Sequence, residues 1–179
     1  MKKFTLVAAL LVLFCGTSLA ADDFDWSQCW CNYGGGIEKG DFIINADVGF
    51  MYEDFSVISN GFWLLPPVIV DVQYAQPIWK LPFTFGGFAG FHAWGTNYYN
   101  FMSLFFGGEA AYHIQLPPKN LDLYLITRLG VNIPFRGGYY NNYVLFGEAI
   151  GANWFFNDSF GLNFEIGYPF TKFGASFKF

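Results

Sequence analysis

Charge is scarce in this chain: only 13% of its 179 residues are Asp, Glu, Lys or Arg, about half the share of an ordinary soluble domain. The nine basic residues form no run beyond Lys2-Lys3, and fourteen acidic residues outnumber them. That balance excludes nucleic acid as a partner held by charge, and equally an anionic membrane surface. Histidine is nearly missing, with only His92 and His113. A Ser-His pair would mark an acyl hydrolase or transferase. Neither histidine has a serine close by in strand register, since Ser103 shares a face with His113 but lies about 33 Å along the strand. Gly-rich phosphate loops and metal-ligand spacings are absent too. The expectation is therefore a noncatalytic protein with no cofactor and no metal site. Beyond the N-terminus, no segment approaches the roughly 18 uncharged apolar residues a membrane-spanning helix needs.

What the chain does contain is apolar. Hydrophobic residues make up 54% of it, and 24 residues are Phe. A soluble fold of this size has too little interior to hide so many large side chains. High hydrophobicity without a helical span leaves one membrane architecture, the closed barrel, in which strands satisfy one another's backbone groups.

The first twenty residues read as an export signal. Met1-Lys2-Lys3 is basic, Leu6 to Phe14 is apolar, and Ser18-Leu19-Ala20 offers small residues for a cut before Ala21. The apolar run is too short for a helical anchor. Cys15 follows Phe14, where a lipidation signal wants a small residue, so a lipid anchor is not expected. Removing Lys2 and Lys3 leaves seven basic residues against fourteen acidic ones. Residues 21–39 read as a periplasmic lead-in, and residues 40–179 as the barrel. Cys29 and Cys31 lie in the lead-in. In an oxidising compartment they are not expected to stay free; a bond between them closes a small strained ring, and a partner chain or a soft metal are the alternatives.

A barrel requires segments of about ten residues in which apolar and polar or small residues alternate. Phe42, Ile44, Ala46, Val48 and Phe50 alternate with Asn45, Asp47 and Gly49. Phe160, Leu162, Phe164, Ile166 and Tyr168 alternate with Gly161, Asn163, Glu165 and Gly167. Similar runs start near Val68, Phe83, Met102, Leu121 and Phe173, and helical spacing would scatter their charges around the whole circumference. The sixth run, about Tyr143 to Phe155, is ambiguous because Glu148 shares its face with Val144, Phe146 and Trp154. Since a carboxylate facing lipid is costly, Glu148 is expected to point inward, with a bulge making both halves regular. Turn formers at Trp79-Lys80-Leu81-Pro82, Pro117-Pro118-Lys119-Asn120 and Asn157-Asp158-Ser159 make short connections at one end. Longer ones, roughly Asp54 to Pro67, Gly95 to Asn100 and Pro134 to Asn142, fall at the other, with a tight link at Pro169. The expectation is all-β: an eight-stranded, antiparallel, up-and-down transmembrane barrel.

The chain finishes on Phe179, with Phe177, Ala175 and Phe173 at alternating positions before it. This resembles the last strand of bacterial outer-membrane proteins. From about Gly40 onward, the whole pattern is similar to the small eight-stranded barrels of the OmpA, OmpX and OmpW type. The resemblance implies outer-membrane localisation, lipid and the barrel-assembly machinery as partners, and Phe173, Phe177 and Phe179 as the assembly signal.

Eight strands enclose a lumen that side chains just fill. With hairpins closed about their shortest turns, Arg128 is expected across from Glu148, with Glu109 diagonal and Glu165 beyond. One guanidinium among these carboxylates makes an ion-pair plug, because buried charges must be paired. Phe62, Trp63 and Leu64 are placed in the first long loop, as an interfacial aromatic belt or as a greasy entrance. Two functions follow: a noncatalytic barrel with a structural or surface role and a plugged lumen, or a narrow transporter releasing small apolar molecules sideways into the membrane.

Overall fold

The computed structural model describes residue 25 and residues 27–51, 61–96, 100–136 and 142–179. The expected leader lies outside them. Eight strands follow in order: β1 Phe42–Met51, β2 Gly61–Ala75, β3 Phe83–Thr96, β4 Asn100–Gln115, β5 Leu121–Arg136, β6 Tyr143–Phe155, β7 Phe160–Tyr168 and β8 Phe170–Lys178. Each pairs antiparallel with its sequence neighbour, and β8 returns to β1, from Met51 opposite Phe170 to Ile43 opposite Lys178. The barrel is closed, so it has no unpaired edge. Period two holds throughout: in β7, Gly161, Asn163 and Glu165 are buried while Phe160, Leu162, Phe164 and Ile166 are exposed.

Three local expectations are corrected. Strand β2 starts at Gly61 and not after Pro67, so the backbone of Phe62, Trp63 and Leu64 belongs to a strand, with Phe62 opposite Gly95 and Trp63 opposite Trp94. They are not loop residues; their side chains lie outside the described set. Pro66 and Pro67 cannot donate to the ladder, and the register shifts between Trp63 and Leu65 and again between Leu65 and Val68. A bulge absorbs the missing donors. Strand β5 likewise runs through Pro134 to Arg136. Finally, β6 keeps one register along both neighbours, so it has no bulge at Glu148.

One end of the barrel carries the short turns. The β2–β3 turn is held by Ile78 and Leu81, whose N–H groups donate to each other's carbonyls at 3.1 and 2.8 Å. At the opposite end β7 and β8 are joined by Pro169 alone. Strands β4 and β5 have 16 residues each and β7 and β8 only 9, so the wall dips beside the Pro169 link.

Residues 27–41 cover most of the expected lead-in and the start of the barrel segment. They form a cap across the short-turn end. Gln115 N–H donates to the Cys29 carbonyl (2.9 Å), and Gly35 N–H to that of Leu121 (3.1 Å). Tyr33 donates its hydroxyl to Phe83 O at 2.6 Å, and Lys178 Nζ donates to Gly36 O (2.6 Å) and Gly35 O (3.1 Å). Ile37 packs with Ile43, Ala75 and Phe155. Glycine is required here: a Cβ on Gly34 would meet Leu121 O at 2.7 Å, and Gly35 adopts φ +64 with Asp122 Cβ 2.9 Å from its own Cβ position.

Candidate functional site: the filled lumen

Strand parity sends Asp47, Asp71, His92, Glu109, His113, Asp122, Arg128, Glu165, Lys172 and Lys178 into the lumen, and all are buried. These are the inward ionisable residues expected from the sequence, with one exception. Glu148 is exposed, on the outer face with Val144, Phe146 and Trp154. It therefore has no part in the plug. Its cross-strand neighbours are Thr127 and Tyr168, and Tyr168 is the last residue of β7, beside the dip in the wall. Polar neighbours next to a low rim explain how an outward carboxylate is accommodated without a bulge. Glu148→Gln should accordingly change the unfolding free energy by less than about 1 kcal/mol. Urea unfolding measures this, and a larger loss would place Glu148 in the interior.

Of the three carboxylates expected around Arg128, Glu109 and Glu165 are its partners, and Glu109 takes the place across from it that was expected for Glu148. Arg128 stands directly opposite Glu109 in register, and its Nε donates to Glu109 Oε2 at 2.8 Å. Its two terminal nitrogens fork onto Glu165, Nη2 to Oε2 at 2.8 Å and Nη1 to Oε1. The guanidinium also lies 5.7 Å from the ring centroids of both Phe88 and Phe170, a cation–π arrangement.

From Arg128 the hydrogen bonds run around the lumen and return. Gln73 Nε2 donates to Glu109 (2.9 Å), Thr84 donates to Gln73 Oε1 (2.6 Å), and Thr84 Oγ1 meets His113 Nε2 (2.9 Å). On the other side His113 Nδ1 contacts Asp122, which also accepts from Asn153 Nδ2 at 3.1 Å. The Asn163 amide lies 2.8 Å from Asn153 Oδ1 and 2.7 Å from the Tyr124 hydroxyl, and Tyr124 donates to Glu165 (3.3 Å). Turned over, the Asn163 amide would reach Asp47 instead, at 3.2 Å. A second knot joins this ring: Lys172 Nζ donates to Asp47 Oδ2 at 2.6 Å and to Asp71, stands 3.9 Å from Glu165, and Asn45 donates to Asp71 at 2.7 Å. All eight strands contribute. The network can hold charge in place, and it leaves the middle of the lumen filled.

Above this network, toward the Pro169 end, the lumen turns apolar. Ile69, Phe88, Phe105, Leu145 and Phe170 are all buried against one another, with Phe105 and Phe170 stacked at 5.0 Å. His92 and Ser103 face each other in register and share a short hydrogen bond, which corrects the expectation that neither histidine has a serine beside it. Both are about 5% exposed, which shuts a bulky substrate out of the pair.

Some of this was missed in the sequence. Tyr124 has the parity of Asp122 and Arg128 and could have been placed inward on that ground. Gln73, Thr84, Asn153 and Asn163 also had the right parity, but uncharged side chains gave no reason to link them. Among the described residues Cys29 and Cys31 are free thiols, Cys29 buried and Cys31 exposed; burial pushes the Cys29 thiol up. Among the described residues no group of His, Cys, Asp and Glu is arranged to hold a metal ion. Phe173 and Phe179 point outward and exposed, while Phe177 packs on Phe160 with centroids 5.4 Å apart.

No family model matches the chain, and no curated protein and no solved structure matches it either.

Proposed function

We propose that the mature chain is an outer-membrane barrel with a noncatalytic, structural or surface role and a closed lumen, exported behind a cleaved leader. One observation carries this: a buried polar network fills the middle of the lumen while the outer face of the wall is apolar. Residues such as Phe50, Leu129, Val144, Phe146, Phe164 and Phe173 are exposed around the wall, a continuous greasy face that water does not tolerate and that lipid covers. The buried network and the cap speak for closure. Lipid and the assembly machinery are the proposed partners, and the cap end faces the periplasm.

Single-channel recording in planar bilayers tests closure, with no conductance steps expected from the parent. Topology is tested on intact cells: a tag between Gly137 and Gly138, a site outside the described residues, should be labelled, and one at Pro118-Lys119 should not. Reversed labelling would invert the barrel, and steady conductance would overturn the plug.

The apolar upper lumen supports the second reading. Ile69, Phe88, Phe105, Leu145 and Phe170 lie beside the low wall at Pro169, where a small apolar molecule could pass sideways into lipid. Uptake of an apolar substrate by cells carrying the protein, without conductance, would favour this transporter over the structural role. A greasy entrance at Phe62, Trp63 and Leu64 would then lie at the loop end of β2.

A further inference from the structure

The cap lies over a buried His113–Asp122 pair held in a run of side-chain hydrogen bonds. Gln73 turns its amide nitrogen to Glu109, so its oxygen faces Thr84. An amide oxygen only accepts, so the Thr84 proton is committed to it at 2.6 Å. Thr84 Oγ1 therefore accepts from His113 Nε2 at 2.9 Å. On the far side of the ring Nδ1 lies 2.9 and 3.0 Å from the two oxygens of Asp122, which accept from Asn153 as well. Both ring nitrogens thus face acceptors, Thr84 Oγ1 and the Asp122 carboxylate, the arrangement that suits an imidazolium.

Directly over this pair sits the cap. The Tyr33 ring lies 5.5 Å from the His113 ring, centroid to centroid, Gly34 passes against the backbone of Asp122, and Gly35 against its Cβ and the Phe155 ring. The other groups around His113 are Thr84 from β3, and Asp122 and Tyr124 from β5, the latter ring at 5.6 Å. Glu109 is reached through Thr84 and Gln73. Lys178 from β8 is tied to the carbonyls of Gly35 and Gly36 and lies 5.0 Å from the Phe155 ring. Tyr33 itself stays neutral over the physiological range, because burial and then Asp122 push it up to about 12.

We propose that residues 27–41 form a proton-dependent latch, seated while His113 is an imidazolium and released when it loses that proton. Deprotonation leaves Asp122 without its cation, and removes the charge that the Tyr33 ring faces. It also sets the Nε2 lone pair against Thr84 Oγ1, so Thr84 must abandon Gln73 to satisfy it. A buried, uncompensated carboxylate draws water, and the covering element over Asp122 is the Gly34–Gly35 backbone. Proton and seated cap stabilise each other, since such coupling is reciprocal. The latch goes beyond the closed-barrel reading and does not depend on the membrane placement.

A nitroxide on Cys31, in the Cys15→Ser/Cys29→Ala background and in detergent micelles, reports cap mobility by electron paramagnetic resonance. On raising the pH from about 5 to about 8, the ratio of mobile to immobile label should rise about fivefold or more, the low end of ordinary coupling. His113→Gln and Asp122→Asn should each abolish that pH response. Tyr33→Leu, which leaves the barrel wall untouched, should give a mobile label at both pH values. A parent label that keeps the same mobility across the range overturns the latch. So does an unchanged pH response in either Asp122→Asn or His113→Gln, and so does an immobile label in Tyr33→Leu.

Discussion

Arg128→Ala should cost the folded barrel about 3–5 kcal/mol, the usual loss when one partner of a buried ion pair is removed. Arg128 is 3% exposed, forks onto Glu165 and donates to Glu109. The substitution strands both carboxylates in a lumen where Lys172, 3.9 Å from Glu165, is already bound to Asp47 and Asp71. The folded variant can soften the loss by keeping a proton on the crowded carboxylates. It then holds more protons than the unfolded chain, so its stability falls as pH rises. The defect should thus be smaller at acid pH and larger toward alkaline pH. Arg128→Ala/Glu165→Gln should recover part of the loss, because an amide has no charge to compensate, whereas Arg128→Ala/Glu148→Gln should recover nothing. Urea unfolding in detergent at two pH values measures all of these. An Arg128→Ala protein that unfolds like the parent at both values would remove Arg128 from the network.

Phe179→Asp should nearly abolish barrel insertion while leaving the stability of any inserted protein close to that of the parent. Phe179 is 71% exposed, and its backbone, not its ring, ties it to β1: Phe42 N–H donates to Phe179 O at 2.9 Å and Phe179 N–H to Phe42 O at 3.0 Å. The ring therefore contributes little to packing, and exposed substitutions shift stability by only about 0.5 kcal/mol. What the ring supplies, on the outer-membrane reading, is recognition during assembly. Fractionation should show leader-free protein accumulating in the periplasm, with little heat-modifiable barrel in the membrane. Parent levels of heat-modifiable barrel would make the terminal aromatic irrelevant to assembly.

Glu148 shows which kind of sequence argument is reliable. Its position alternates with Val144, Phe146 and Trp154 in phase, and parity alone puts it outside. The cost of a carboxylate facing lipid favours an inward side chain instead, which would need a bulge. The backbone kept its register. Parity is a property of the extended chain itself, and reversing it means inserting a residue. The cost of an exposed charge, by contrast, depends on height along the wall and on neighbours such as Thr127 and Tyr168, which no single strand reveals.

The sequence by itself determined the period of two, the eight strands, the short turns at one end and, Glu148 apart, the set of inward ionisable residues. Each of these follows from alternation and turn chemistry within a few residues of chain. Only the tertiary structure decided who meets whom. Arg128 meets Glu109 because the β4–β5 hairpin sets that register. Lys172 meets Asp71 across 101 residues and Asp47 across 125, because the closing pair β1–β8 sets where the last strand stops against the first. The cap was equally hidden, since three glycines in a row say that the backbone can turn, and only the shape of the barrel mouth says what it turns onto.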